Sequence, residues 1–368
     1  MNSLLIALSI AGGVVLAGVV AHGAWTARKA TPKMADPEDL NAIPDAMTSS
    51  RDNLPVLKDI AIDGDERHIE PSFDPDAFHN DLPVPFEFAQ SNDKKASLDP
   101  LIDVITPIAL DETVSGDAVL AALPATRRVG SKPFAIEGLR EVTEQWEVPQ
   151  IGERYSALQA GVQLANRTGA LNEIEYSEFV IKVQAFADQV GGTPTFPEMR
   201  DEVARARELD VFASNHDAHL RFTIYAVGAA WSTGYVSQQA ARLGFVAGAL
   251  PGRMVLPDQE PNQAPILSLS FDSQAAMSDE EGPPTAIGEV SLSLDVTHVA
   301  QEEHAFARMR ECARTLADRM EGVICDDQGN QVSEAALDRI AGDLNQLYAT
   351  LDQRDLSAGS VLARRLFS

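Results

Sequence analysis

The chain has 368 residues, too long for one ordinary domain, and 55 acidic against 29 basic residues set its formal net charge at −26. A surface of that sign repels nucleic-acid phosphates and anionic headgroups, so binding to nucleic acid or lipid through a basic patch is excluded as a main activity. Two cysteines and seven histidines form neither a disulfide framework nor a zinc quartet, and no cofactor is implied.

The chain begins with an uncharged apolar run, Leu4 to Ala21, that continues to Trp25. About 20 such residues at 1.5 Å rise span a hydrocarbon layer of ~30 Å. A cleaved signal peptide would need positive charge before the run, whereas Arg28, Lys29 and Lys33 follow it. Residues 1–25 are therefore predicted to be an N-out transmembrane anchor, with the remainder cytoplasmic. Small residues four apart, such as Ala7 and Ala11, leave a homodimer through this helix open.

Residues 26–128 read as a basic juxtamembrane segment followed by an acidic, proline-rich disordered tether. Asp36 to Asp117 holds 20 acidic and five basic residues, with prolines from Pro37 to Pro107. Such a segment buries too little apolar surface to offset its ordering entropy. As a flexible coil of ~90 residues it would reach about 50–60 Å. Two apolar islands, Leu82–Phe88 and Leu101–Leu110, interrupt it and read as sticky linear motifs, as segments that dock on the folded part, or as transient contacts.

Folded structure is predicted from Val129, and an internal similarity divides it. Gly161–Gly192 aligns without gaps on Ser291–Gly322, an offset of 130 residues. Each copy opens as an alternating strand, with Val162 and Leu164 matching Leu292 and Leu294. Each continues into an amphipathic helix, with stripes Tyr176, Phe179, Val183, Phe186, Val190 and Phe306, Met309, Ala313, Leu316, Met320. Glycine follows where a left-handed cap is wanted. A second helix comes after each copy, Arg200–Phe212 and Ser333–Leu351. Upstream, Pro133-Phe-Ala-Ile is set against Pro265-Ile-Leu-Ser. The fold class is α+β: sheet with helices on one face, in an extra lobe at 129–215 (a partial repeat) and a domain at 216–355, with 356–368 as a tail.

The reactive-looking stretch Cys325-Asp326-Asp327 precedes Gln-Gly-Asn and reads as a strand running into a turn, with Ser333 as the next N-cap and Cys325 as filler beside Cys312. His216 and His219 have helical metal spacing but stand alone. Phosphate-cradling, dinucleotide, zincin and nucleophile-elbow motifs are absent from the sequence, which reads as a non-enzyme.

The order of these parts resembles the ZipA family of bacterial cell-division proteins. The local likeness lies in Ala240–Gly248, which looks like that family's first helix running into Gly-Phe, and in Ala313–Ser333, similar to its second helix, strand and Asp-Asp-Gln turn. The resemblance covers roughly Arg221 to Leu351. It implies an antiparallel sheet with helices on one face for that domain, and a non-enzymatic, single-pass inner-membrane adaptor at the division site, with a periplasmic N-terminus. Its cytoplasmic C-terminal domain would bind the C-terminal tail peptide of FtsZ across the sheet face opposite the helices. The face residues so implied are Thr223, Tyr225, Val227, Leu250, Met254, Ser268, Ser270, Asp272, Ser291 and Ser293. Several are polar where the family is apolar, so a membrane-tethered scaffold for a different division or envelope partner is the alternative reading.

Overall fold

The computed structural model describes residues 33–34, 98–258, 263–272 and 286–368. The apolar run at 4–21 and the island at 82–88 lie outside the described residues. Among the described residues no helix is long and apolar enough to cross a membrane.

The first lobe opens with β1 (Asp103–Ser115) and α1 (Gly116–Ala122). Strands β2 (Arg128–Val129), β3 (Lys132–Arg140), β4 (Trp146–Glu147) and β5 (Arg154–Gln163) follow. A two-stranded ribbon, β6 (Ala165–Asn166) with β7 (Gly169–Ala170), leads into α2 (Glu173–Val190), β8 (Gly192–Pro194) and α3 (Met199–His216). The sheet runs β2-β3-β5-β1-β8 with β4 on β3, and all its pairings are antiparallel.

The second lobe repeats this plan. Its elements are β9 (His219–Ala226), α4 (Thr233–Ala241), β10 (Val246–Ala247), β11 (Arg253–Leu256), β12 (Leu267–Ser270), β13 (Glu289–Asp295), α5 (Ala305–Met320), β14 (Gly322–Cys325) and α6 (Glu334–Asp352). The sheet runs β10-β11-β12-β13-β9-β14, again antiparallel. The order β11-β12-β13-β9-β14 therefore reproduces β2-β3-β5-β1-β8 strand for strand.

The cores follow from periodicity. In the first lobe Val104, Ile108, Phe134, Ile136, Leu158 and Val162 share one sheet face with the α2 stripe, all buried. The Phe134 and Phe179 rings meet edge to face at 6.0 Å. In the second, Phe222, Ile224, Leu269, Leu292 and Leu294 lie under Phe306, Met309, Leu316 and Met320. Asn172 starts α2 with a reciprocal capping box: its side chain accepts from the amides of Ile174 and Glu175, and Glu175 accepts the Asn172 amide. Gly191 ends it in the left-handed region at φ 67°. In the second copy that position is Glu321, at φ 55°, one residue before the expected glycine.

Three sequence expectations change here. The tether does not extend to 128, nor does the lobe start at 129: the Leu101–Leu110 island enters β1, an interior strand between β5 and β8. Pro107 hid it, since proline lacks a ladder donor; its carbonyl still accepts from Thr195. The upstream strands pair differently too. Phe134 stands opposite Val162 and Leu269 opposite Leu292, so Phe134 matches Leu269 and the Pro133–Pro265 correspondence is out of register by three residues. An odd slip turns every side chain to the other face. The tail, finally, contains α7 (Val361–Leu366), whose Leu366 and following Phe367 are buried.

The C-terminal helix and the β6–β7 turn bolt the lobes together. Arg365 of α7 pairs with Asp103 of β1 at 2.6 Å, and its carbonyl accepts from Gln163 at 2.7 Å. Phe367 offers its carbonyl to His298 at 2.9 Å. Arg167 in the β6–β7 turn reaches both Asp217 (2.7 Å) and Asp295 (2.8 Å).

Candidate peptide-binding face

Opposite the helices, the second sheet presents three cross-strand rows. Val255, Ser268, Ser293 and Arg221 form one, from β11 through β12 and β13 to β9. Arg253, Ser270, Ser291, Thr223 and Cys325 form the next. Glu289, Tyr225 and Val323 form the third. Alternation decides membership: the neighbours Met254, Leu269, Leu292, Phe222 and Ile224 point the other way into the core.

The small polar rows are not raw hydroxyls facing water. Ser293 donates to the carbonyl of Ser268 at 3.3 Å, and the hydroxyls of Thr223 and Ser291 lie 3.5 Å apart. Thr223 is buried and the four serines half-buried, so the centre of the face is flat and shallow. Apolar surface concentrates at one end. Tyr225 is 36% exposed beside half-buried Val323, and Val227 just beyond the strand is 69% exposed. The Tyr225 hydroxyl titrates above its ordinary range, first through desolvation and then through the Glu289 carboxylate opposite and the nearby Cys325. It remains a neutral donor at physiological pH. Arg221 and Arg253 stand exposed at opposite margins.

Of the ten residues expected here, Thr223, Tyr225, Ser268, Ser270, Ser291 and Ser293 share the face by register. Val227 and Asp272 lie beyond the ends of β9 and β12, and Leu250 lies in the turn before β11, 61% exposed. Met254 is a correction: it is 4% exposed and belongs to the core. In Arg253-Met-Val-Leu256 two alternations compete, and the one with two large apolar residues turns inward. Arg221, Arg253, Val255, Glu289, Val323 and Cys325 were missed, although carrying the alternation to the ends of β9 and β13 and on to β11 and β14 would have found them. Cys325 also does not sit beside Cys312. It is opposite Thr223 on this face, whereas Cys312 lies on α5; both thiols are buried.

The other reactive-looking groups are spoken for by structure. The Asp326 carboxylate accepts the amides of Gln328 (2.9 Å) and Asn330 (2.8 Å), with Gly329 at φ 81° completing the turn. Those amides hold its pKa below the ordinary aspartate value. His216 ends α3 with its ring against the Phe212 carbonyl, while His219 starts β9, so the two do not share a helix. Among the described residues no group of three metal-ligating side chains occurs.

With this geometry in view, comparison with known families bears on the second lobe. Residues 271–342 match the family model of ZipA, C-terminal FtsZ-binding domain. The match takes in β13, α5, β14 and the first half of α6, that is, a central strand of the face and the helix packed behind it. It does not include the first lobe. No curated protein matches the chain.

Proposed function

We propose that this protein is a non-enzymatic cell-division adaptor whose second-lobe sheet face binds the C-terminal tail peptide of FtsZ. The observation that carries the reading is the family match lying on β13, α5 and β14, the elements that build and back that face. An extended peptide laid across small residues brings its backbone close to the sheet, and Tyr225, Val323 and Val227 are the apolar anchors beside it. The Leu4–Ala21 run is proposed to anchor the chain in the inner membrane, N-terminus outside, so that a bound FtsZ polymer is held at the division site.

The test is titration of the full chain in lipid nanodiscs with a labelled FtsZ tail peptide. Saturable binding is expected, weakened about 5- to 30-fold by Tyr225→Ala, the effect of losing one partly buried anchor worth ~1–2 kcal/mol. Absence of saturation up to millimolar peptide, with the protein shown to be folded, refutes the reading. One observation favours a second reading: serine and threonine fill the central row between Arg253 and Cys325 where an apolar surface would grip more. On that reading the same face serves another division or envelope partner. Tight binding that Tyr225→Ala weakens would eliminate it.

A further inference from the structure

Far upstream of the first lobe, Lys33 is built into the second. Its amide donates to the carbonyl of Ala230 at 2.7 Å and its carbonyl accepts from Ser232 at 2.9 Å, a parallel bridge to Trp231. Trp231 is itself bridged to Ile287 by two backbone hydrogen bonds of 2.8 and 2.9 Å, so Lys33 adds an outer rung to an existing ladder. The rung is not a surface accident. Trp231 is wholly buried, with its indole donating to the Met320 carbonyl at 2.8 Å. The Lys33 ammonium reaches the same carbonyl at 3.4 Å and the Glu321 carboxylate at 3.1 Å. Met320 and Glu321 close α5, where unpaired carbonyls and the helix dipole favour a cation.

Glu321 carries independent weight. It holds the left-handed backbone position that the sister helix gives to Gly191, 130 residues earlier, where glycine incurs no side-chain penalty. A side chain kept at a strained site invites a role for that side chain. Here its carboxylate pairs with the Lys33 ammonium.

We infer that the second lobe carries a strand-addition slot, formed by Ala230–Ser232 and the C-terminus of α5, whose occupant is the chain's own segment at Lys33. The consequence concerns reach. Only residues 26–32 separate Lys33 from Trp25, a span of at most ~28 Å when fully extended. With the slot filled, the second lobe stands next to the apolar run. The placement beside a bilayer rests on the anchor reading given above; the slot does not.

The slot is tested on the unmutated full chain in nanodiscs by zero-length carbodiimide cross-linking with peptide mapping. A Lys33–Glu321 link within one chain is expected, at a yield like that of Glu178–Lys182, which lie 2.9 Å apart. Formation of the second link without the first overturns the proposal, and so does a Lys33–Glu321 link found only in chain dimers. Energy transfer from a dye on Val246→Cys to acceptor lipid should fall at least twofold with Lys33→Pro, which removes the donated hydrogen bond. A cross-link with no transfer in either protein keeps the slot and removes the anchor reading. Equal transfer in both overturns the role in reach.

Discussion

Replacing Arg365 by alanine should destabilise the first lobe strongly, and the structure says why and by how much. Asp103 is fully buried, and its carboxylate has two partners, the Arg365 guanidinium at 2.6 Å and the Asp99 amide at 2.9 Å. Burial pushes its pKa above the ordinary aspartate value, and Arg365 opposes that shift. Truncation strands the carboxylate with one donor; losing one partner of a buried pair costs roughly 3–5 kcal/mol, and because Arg365 is partly exposed we expect about 3. The hydrogen bond from Gln163 goes to the Arg365 backbone carbonyl and survives. Urea titrations of the full chain in mild detergent, in a Trp25→Phe background, read the lobes through Trp146 and Trp231. Asp103→Asn combined with Arg365→Ala should recover all but ~1 kcal/mol, since an amide does not need a counter-ion. The sign with pH is fixed. A carboxyl whose folded pKa lies above its unfolded one makes the folded state bind more protons. The Arg365→Ala deficit is therefore largest at neutral pH and shrinks on acidification, disappearing once the carboxyl is protonated in both folded proteins. Equal destabilisation in the single and double variants at neutral pH, or a deficit that grows on acidification, refutes the argument.

Four further outcomes follow from individual residues. Tyr155 and Tyr176, both buried in the first lobe, have hydroxyls pushed up to about 12, chiefly by desolvation. Their folded pKa values exceed the unfolded value near 10, so this stability is intact below pH ~10 and lost as pH rises towards 12, by about 2–3 kcal/mol for each. Trp146 fluorescence in a fixed urea concentration should report the loss. Asn172→Ala removes two accepted amides at the start of α2 and should cost about 1 kcal/mol in the same titration. Gly191→Ala should cost ~1–2 kcal/mol from backbone conformation alone, since an added Cβ meets nothing within 4 Å; Glu321→Gly should relieve strain yet abolish the Lys33 cross-link.

How much of this was legible depended on whether a segment carried its own period. The stripes on α2 and α5 repeat every three to four residues, and every stripe residue is buried. The alternation in β5 and β13 was as plain, and Ser333 caps α6 by accepting the Ala336 amide as expected. Strand β1 was lost because Pro107 and nearby acids mimic a disordered segment; tertiary pairing on both sides overrides that local character. Face membership in β11 and β14 failed for a different reason. A four-residue strand offers two members to each face, too few to resist a misassignment such as Met254. The Lys33 contact spans roughly 200 residues of sequence and has no local signal.

The two sheets also show how one plan tolerates opposite surfaces. On the first, the row Ala135, Gly161, Ile105 corresponds by register to Ser270, Ser291, Thr223 on the second. The apolar row is not left bare. Leu98 lies over Gly161, where an added Cβ would meet its methyl carbon at 2.4 Å, and its amide donates to buried Glu137 at 2.9 Å. A larger residue at 161 would expel that cover. On the second sheet, hydroxyls that bond to neighbouring oxygens replace the apolar atoms and remove the need for one. An apolar face in water must be covered or it associates indiscriminately. A serine face can stay vacant and still let an extended backbone approach closely. The polar substitutions that weaken the anchor count are thus the same ones that keep the second face accessible while the first is occupied by its own chain.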